Sequence, residues 1–146
     1  MLAIIPEFTA TVCAGIFAGA AVYINLVRHP AAATLGTATA VQFFRPMYAR
    51  AAPMQASLAA VGALAALWAW WSGRGWLWLL GALFLGSVIP FTLLVIMPTN
   101  DRLKDPTLDV SSAEASDLLI RWSSLHAVRS VASVVAFLLF VAALLR

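Results

Sequence analysis

Ile89-Pro90-Phe91-Thr92-Leu93-Leu94-Val95-Ile96-Met97-Pro98-Thr99-Asn100-Asp101-Arg102-Leu103 sets a long apolar run directly against four consecutive polar residues. Pro90 removes one backbone hydrogen bond from an otherwise helical segment, and Pro98 is expected to end that segment just before Thr99. So abrupt a change marks the water boundary of a membrane span. It also places a cluster of hydrogen-bonding side chains where hydrocarbon gives way to headgroups.

The rest of the chain agrees with a bilayer setting. Of its 146 residues 63% are hydrophobic and 10% charged, with a mean hydropathy of +0.94, too little polar surface to cover a soluble globule. The expected fold is all-α: a four-helix transmembrane bundle with an interfacial connector between helices 1 and 2. It forms a single integral membrane domain, 1–146, with spans at about 8–27, 53–71, 76–97 and 118–145. A net charge of +3 comes from basic residues scattered singly, which form no patch or stripe and exclude nucleic acid as a partner. One cysteine, Cys13, rules out an intrachain disulfide. Glu7 stands where a secretory signal would carry basic residues, so the first span is read as retained.

Taken in order, span one carries Gly15 and Gly19 at the small-xxx-small spacing that lets helix backbones approach. Asn25 and His29 close it before Pro30. From Pro30 to Arg50 the chain reads as an amphipathic connector containing Phe43-Phe44-Arg45-Pro46-Met47-Tyr48, with Arg45 and Tyr48 able to share a face. Spans two and three meet at Ser72-Gly73-Arg74-Gly75, a tight hairpin. Trp68, Trp70, Trp71, Trp76 and Trp78 surround it as an aromatic belt. Ser111 or Ser112 followed by Glu114 reads as a helix start, and in the following span Trp122, His126 and Arg129 fall at i, i+4 and i+7, one inward stripe.

Up-and-down threading brings the end of span one, the connector, the Asn100 turn and the first turns of span four to one membrane face. Basic residues concentrate there, so the positive-inside rule makes it cytoplasmic, with both termini outside. An ionisable residue at membrane depth is a functional hypothesis by default. Arg129 is the deepest, with Asn100, Asp101 or a proline-freed carbonyl as expected partners. A buried His126 beside it suits a general base. The histidines, His29 and His126, form no recognised ligand spacing; with Asp101 or Glu114 they leave an iron or copper site as an alternative, but the cofactor-free option leads.

Two stretches carry a family resemblance. Pro90-Phe91-Thr92-Leu93-Leu94 with Pro98-Thr99-Asn100 and Leu103, and later Trp122, Leu125-His126 and Arg129-Ser130, resemble the signature of the DUF1772 family, small membrane proteins that include the fungal anthrone oxygenases. The resemblance implies oxidation of a hydrophobic aromatic, polyketide-type anthrone to a quinone, with dioxygen as co-substrate. In that reading His126 is the base, Arg129 and Asn100 hold the enolate, and Trp122, Tyr48, Arg45, His29 and Thr99 bind substrate. The alternative is a noncatalytic carrier or assembly partner in which the polar cluster ties helices together. An open cavity lined by His126, Trp122, Tyr48 and Asn100 favours catalysis, and a closed, fully salt-bridged cluster around Arg129 favours structure.

Overall fold

Four helices run up, down, up and down: α1 (Ile5–Ala33), α2 (Thr37–Trp71), α3 (Trp76–Lys104) and α4 (Ala113–Leu144). The structure, a computed structural model, describes residues 4–146. Each helix packs on its sequence neighbours and α4 closes on α1, the arrangement expected when short connections force antiparallel pairs. All four are long and apolar enough to cross a membrane, and their lipid-facing surfaces carry exposed Phe8, Leu64, Leu83, Leu94 and Leu138. The protein is an integral membrane protein in contact with the bilayer.

At 1.5 Å per residue α2 is about 52 Å long, well beyond the roughly 30 Å of a hydrocarbon core. The surplus lies away from the hairpin. Trp68, Trp71 and Trp76 are exposed around the Ser72–Gly75 turn and mark one interface, where Gly73 and Gly75 adopt φ of 81° and 102° that a side chain would oppose. About 20 residues from that belt reach the opposite boundary near Ala52, Val95 and Leu125. Arg74 at the hairpin meets Glu7 of the first turn of α1 at 3.1 Å, so the start of α1 lies at this same end.

Several boundaries differ from those expected. Of the stretch expected as a connector, Pro30 to Arg50, the first four residues end α1 and those from Thr37 on begin α2, which continues through Pro46 and Pro53 without a break. Pro98 does not end α3, which runs to Lys104. The reason is a widened, π-helical turn over Thr92–Ile96, closed by the Met97 N–H on the Thr92 carbonyl, which re-forms the helix immediately before the proline. The same device recurs over Ile24–Arg28, closed by His29 N–H on Ile24, and carries α1 past Pro30 to Ala33. Trp78 belongs to the interior rather than the belt: it is buried and stacks on Phe140 at 5.2 Å. Of the two glycines expected at a helix contact, Gly15 lies under Phe137 while Gly19 faces open space. The tightest approach is at Gly81, where a Cβ would enter the Phe140 ring. Ser112 caps α4 as read, accepting from the Ala115 N–H at 3.1 Å.

Two apolar cores result. The one nearer the tryptophan belt is built from alanines of α1, α2 and α3 with Phe17, Trp78, Leu85 and Phe140. The other, toward the polar face, gathers Ile24, Val41, Phe44, Ile96, Leu103 and Trp122.

Candidate active site

Between these two cores lies a cavity of about 250 Å³. Phe17, Ala59 and Val88 of the first core floor it, and Ile24, Tyr48 and Trp122 of the second roof it. His126 and Arg129 enter from α4, and Gln55 from α2. On the side between α2 and α3 the lining residues Pro53, Ala56 and Leu93 are exposed, so the cavity opens sideways just inside the expected membrane boundary.

The i, i+4, i+7 stripe on α4 forms one wall. The His126 imidazole stacks on the Trp122 indole at 4.7 Å and is itself 1% exposed. Its Nδ1 lies 2.7 Å from Asn25 Oδ1, which also accepts from Ser130 Oγ at 2.6 Å, while Asn25 Nδ2 donates to the Ser123 carbonyl at 3.0 Å. Arg129 donates from Nη2 to Gln55 Oε1 at 2.9 Å and lies over the Phe17 ring, 5.4 Å from its centroid. Among the described residues no carboxylate lies within ion-pairing distance of that guanidinium. Arg129 Nε and Gln55 Nε2 are buried without a hydrogen-bond partner. The expected partners are used elsewhere: Asp101 pairs with Lys104 at 2.9 Å, and Asn100 lies with Trp122, about two turns from Arg129 along α4.

Asn100 is fully buried and sits behind the cavity rather than on it. Its Oδ1 accepts from Trp122 Nε1 at 2.9 Å and its Nδ2 donates to the Tyr48 hydroxyl at 3.1 Å, so one amide orients two of the lining aromatics. With an acceptor position of Tyr48 filled in this way, the hydroxyl proton has the Met97 thioether at 3.9 Å, a weak acceptor. Tyr48, Trp122, His126 and Arg129 therefore come together on the cavity, whereas Asn100, Thr99, His29 and Arg45 do not line it. Thr99 is buried beside Asn100 in sequence, and His29 packs on Trp122 at 5.6 Å. Arg45 donates to the Leu103 and Asp105 carbonyls, fastening the end of α3 to α2. Sequence reasoning left out Asn25 and Gln55 as site residues, although each is the single side-chain amide within its expected span, the signal that would have found them. No group of three or more His, Cys, Asp or Glu side chains among the described residues is placed to hold a metal ion.

The fold and the site define a small polytopic membrane protein whose intramembrane pocket holds an imidazole and a guanidinium without a carboxylate. The chain belongs to the anthrone oxygenase family, the DUF1772 family whose signature it carries; the family model matches residues 44–139. Among curated proteins it is similar to anthrone oxygenase tpcL of Aspergillus fumigatus, 32% identical over 140 residues, covering 88% of this chain and 86% of the relative. No solved structure matches it. Membership gives the chain an oxygenase-like function in general terms.

Proposed function

We propose that this protein oxidises a hydrophobic aromatic substrate of the anthrone type with dioxygen, in the cavity between its two cores. The observation that carries the reading is an open pocket at membrane depth in which Arg129 meets one neutral amide and no carboxylate, beside a buried imidazole. A structural arginine in this position would be expected to be paired. An uncompensated guanidinium instead suits a site where negative charge develops during reaction.

The chemistry follows from the lining. His126 removes a proton from the methylene between the aromatic rings, and the electron pair of the broken C–H bond moves onto the carbonyl oxygen. Arg129, with the Tyr48 hydroxyl, holds the resulting enolate oxygen; Asn100 acts from behind by fixing Tyr48 and Trp122. The electron-rich carbon gives its electrons to dioxygen and forms a C–O bond. The peroxide anion takes the proton back from His126, and loss of the remaining C–H proton with cleavage of the O–O bond releases water and leaves the quinone carbonyl: one oxygen atom ends in the product and the other in water. The enolate is the reductant, so the reaction balances without a metal or flavin. Trp122 offers a flat face to the rings, and the sideways opening admits a substrate dissolved in the bilayer.

Dioxygen uptake by purified protein with an anthrone such as emodin anthrone tests the reading. The wild type should exceed the spontaneous rate, His126→Gln should fold and lose about 10²- to 10⁴-fold, and a chelator should leave the rate unchanged. A rate no higher than in empty detergent, from folded protein, would refute anthrone oxidation and favour a carrier or scaffold. Loss on chelation, restored by iron or copper, would replace the cofactor-free mechanism with a metal-dependent one.

A further inference from the structure

We propose that Asn25 is a positioning residue that fixes which nitrogen of His126 carries the proton, leaving the Nε2 lone pair for the reaction. The inference rests on the reading of His126 as a base. Asn25 belongs to α1, and its side chain crosses to α4 from within the widened turn Ile24–Arg28. Its amide has one sensible orientation. Nδ2 donates to the Ser123 carbonyl at 3.0 Å, which turns Oδ1 toward Ser130 and His126. An amide oxygen only accepts, so the 2.7 Å contact to Nδ1 requires the hydrogen to sit on that ring nitrogen. The neutral ring then has its lone pair on Nε2.

Ser130, one turn after His126 on α4, donates to the same oxygen at 2.6 Å and is held in register by its own helix, its Oγ lying 3.3 Å from the His126 carbonyl. Two donors on one acceptor hold the amide against rotation, and the amide holds the imidazole. A carboxylate does this for the histidine in many hydrolytic enzymes; here the acceptor is neutral, orienting the ring without adding a buried charge. The widened turn is the backbone feature that carries Asn25, and such turns recur at functional sites.

Nitrogen-15 NMR of histidine-labelled protein in lipid nanodiscs reads the proton position without any substrate, with His29 assigned by His29→Gln. At about pH 8.5, where the ring is neutral, His126 of the wild type should show an N–H-type Nδ1 and a lone-pair-type Nε2. Asn25→Asp keeps the acceptor toward Nδ1 but loses the donor to the Ser123 carbonyl and adds a buried charge, so it should retain the proton on Nδ1 while slowing turnover. Asn25→Leu, of similar size without an acceptor, should lose the pattern, with kcat falling about 10²-fold and KM unchanged. A wild-type spectrum with the proton on Nε2, or Asn25→Leu with an unchanged spectrum and kcat, would overturn the assignment. If Asn25→Leu does not fold, the wild-type and Asn25→Asp spectra decide. They decide equally if anthrones prove not to be substrates, because the spectrum is independent of turnover.

Discussion

Arg129 on α4 and Gln55 on α2 face each other across the cavity wall at 2.9 Å, a charged donor on a neutral acceptor, and each retains a buried N–H without a partner. Burying a cation on these terms costs stability, and a cost retained at a pocket is the mark of a functional group. Arg129→Met removes the charge while filling similar space. The melting temperature in detergent is expected to stay level or rise, while turnover falls about 10²-fold, as for loss of an oxyanion donor. A marked drop in melting temperature would instead make Arg129 a structural tie.

Asn100 should behave in the opposite way. Replacing it with Ala strands both the Trp122 indole N–H and the Asn100-facing side of the Tyr48 hydroxyl in a buried setting. Each buried polar group left without a partner costs about 1–3 kcal/mol. Thermal or denaturant unfolding should show a loss of at least the amount for one such group. An unchanged midpoint would mean that Asn100 does not hold the roof.

Antiparallel threading puts Ser72 and Asp109 at opposite ends of the bundle, and both are exposed. After Cys13 is replaced, single cysteines at these positions should react with an impermeant thiol reagent from opposite sides of oriented vesicles. Labelling of both from one side would break the four-span arrangement.

The loop after α3 is tied together at Asp105. Thr107 donates to Asp105 Oδ1 through both its backbone N–H and its hydroxyl, and Arg102 donates to Oδ2. These hydrogen bonds, led by those from Thr107, hold the Asp105 carboxyl below the usual carboxylate value. A carboxyl depressed in the folded state contributes stability that is complete above its unfolded value, about 3.9, and is lost as the pH falls through the folded one. Amide exchange or proteolysis in the loop around 105–112 should therefore increase on acidification below about pH 4. In Asp105→Asn the loop should be looser at neutral pH and should lose most of that acid dependence.

Much of the fold could be read from patterning because lipid leaves the backbone few options. The hairpin at Ser72–Gly75, the cap at Ser112 and the inward stripe of α4 each follow from a local rule, and the structure bears them out. The proline rule was the one that misled. It predicts a stop at Pro98 and an early end at Pro30, whereas a widened turn upstream of each lets the helix continue, and no residue type announces such a turn. At the site, the residues on one helix were legible because periodicity aligns them. The cross-helix partners were not: that Arg129 would meet Gln55 and His126 would meet Asn25 depends on how α1 and α2 rotate about their axes. Residues near the same membrane face in sequence, such as Arg45 and His29, share a level with the site without sharing its wall.

The cavity is a seam between two separately packed cores rather than a hole within one, and this changes what it costs to resize it. Enlarging a hole means removing side chains from a close-packed interior, whereas a seam widens when one core leans on the other and each keeps its contacts. Pro46, Pro53 and Pro90 interrupt the helical hydrogen bonding of α2 and α3 near this level, so bending is least opposed there. Widening the seam would then change the angle between the two halves rather than the contacts within either of them.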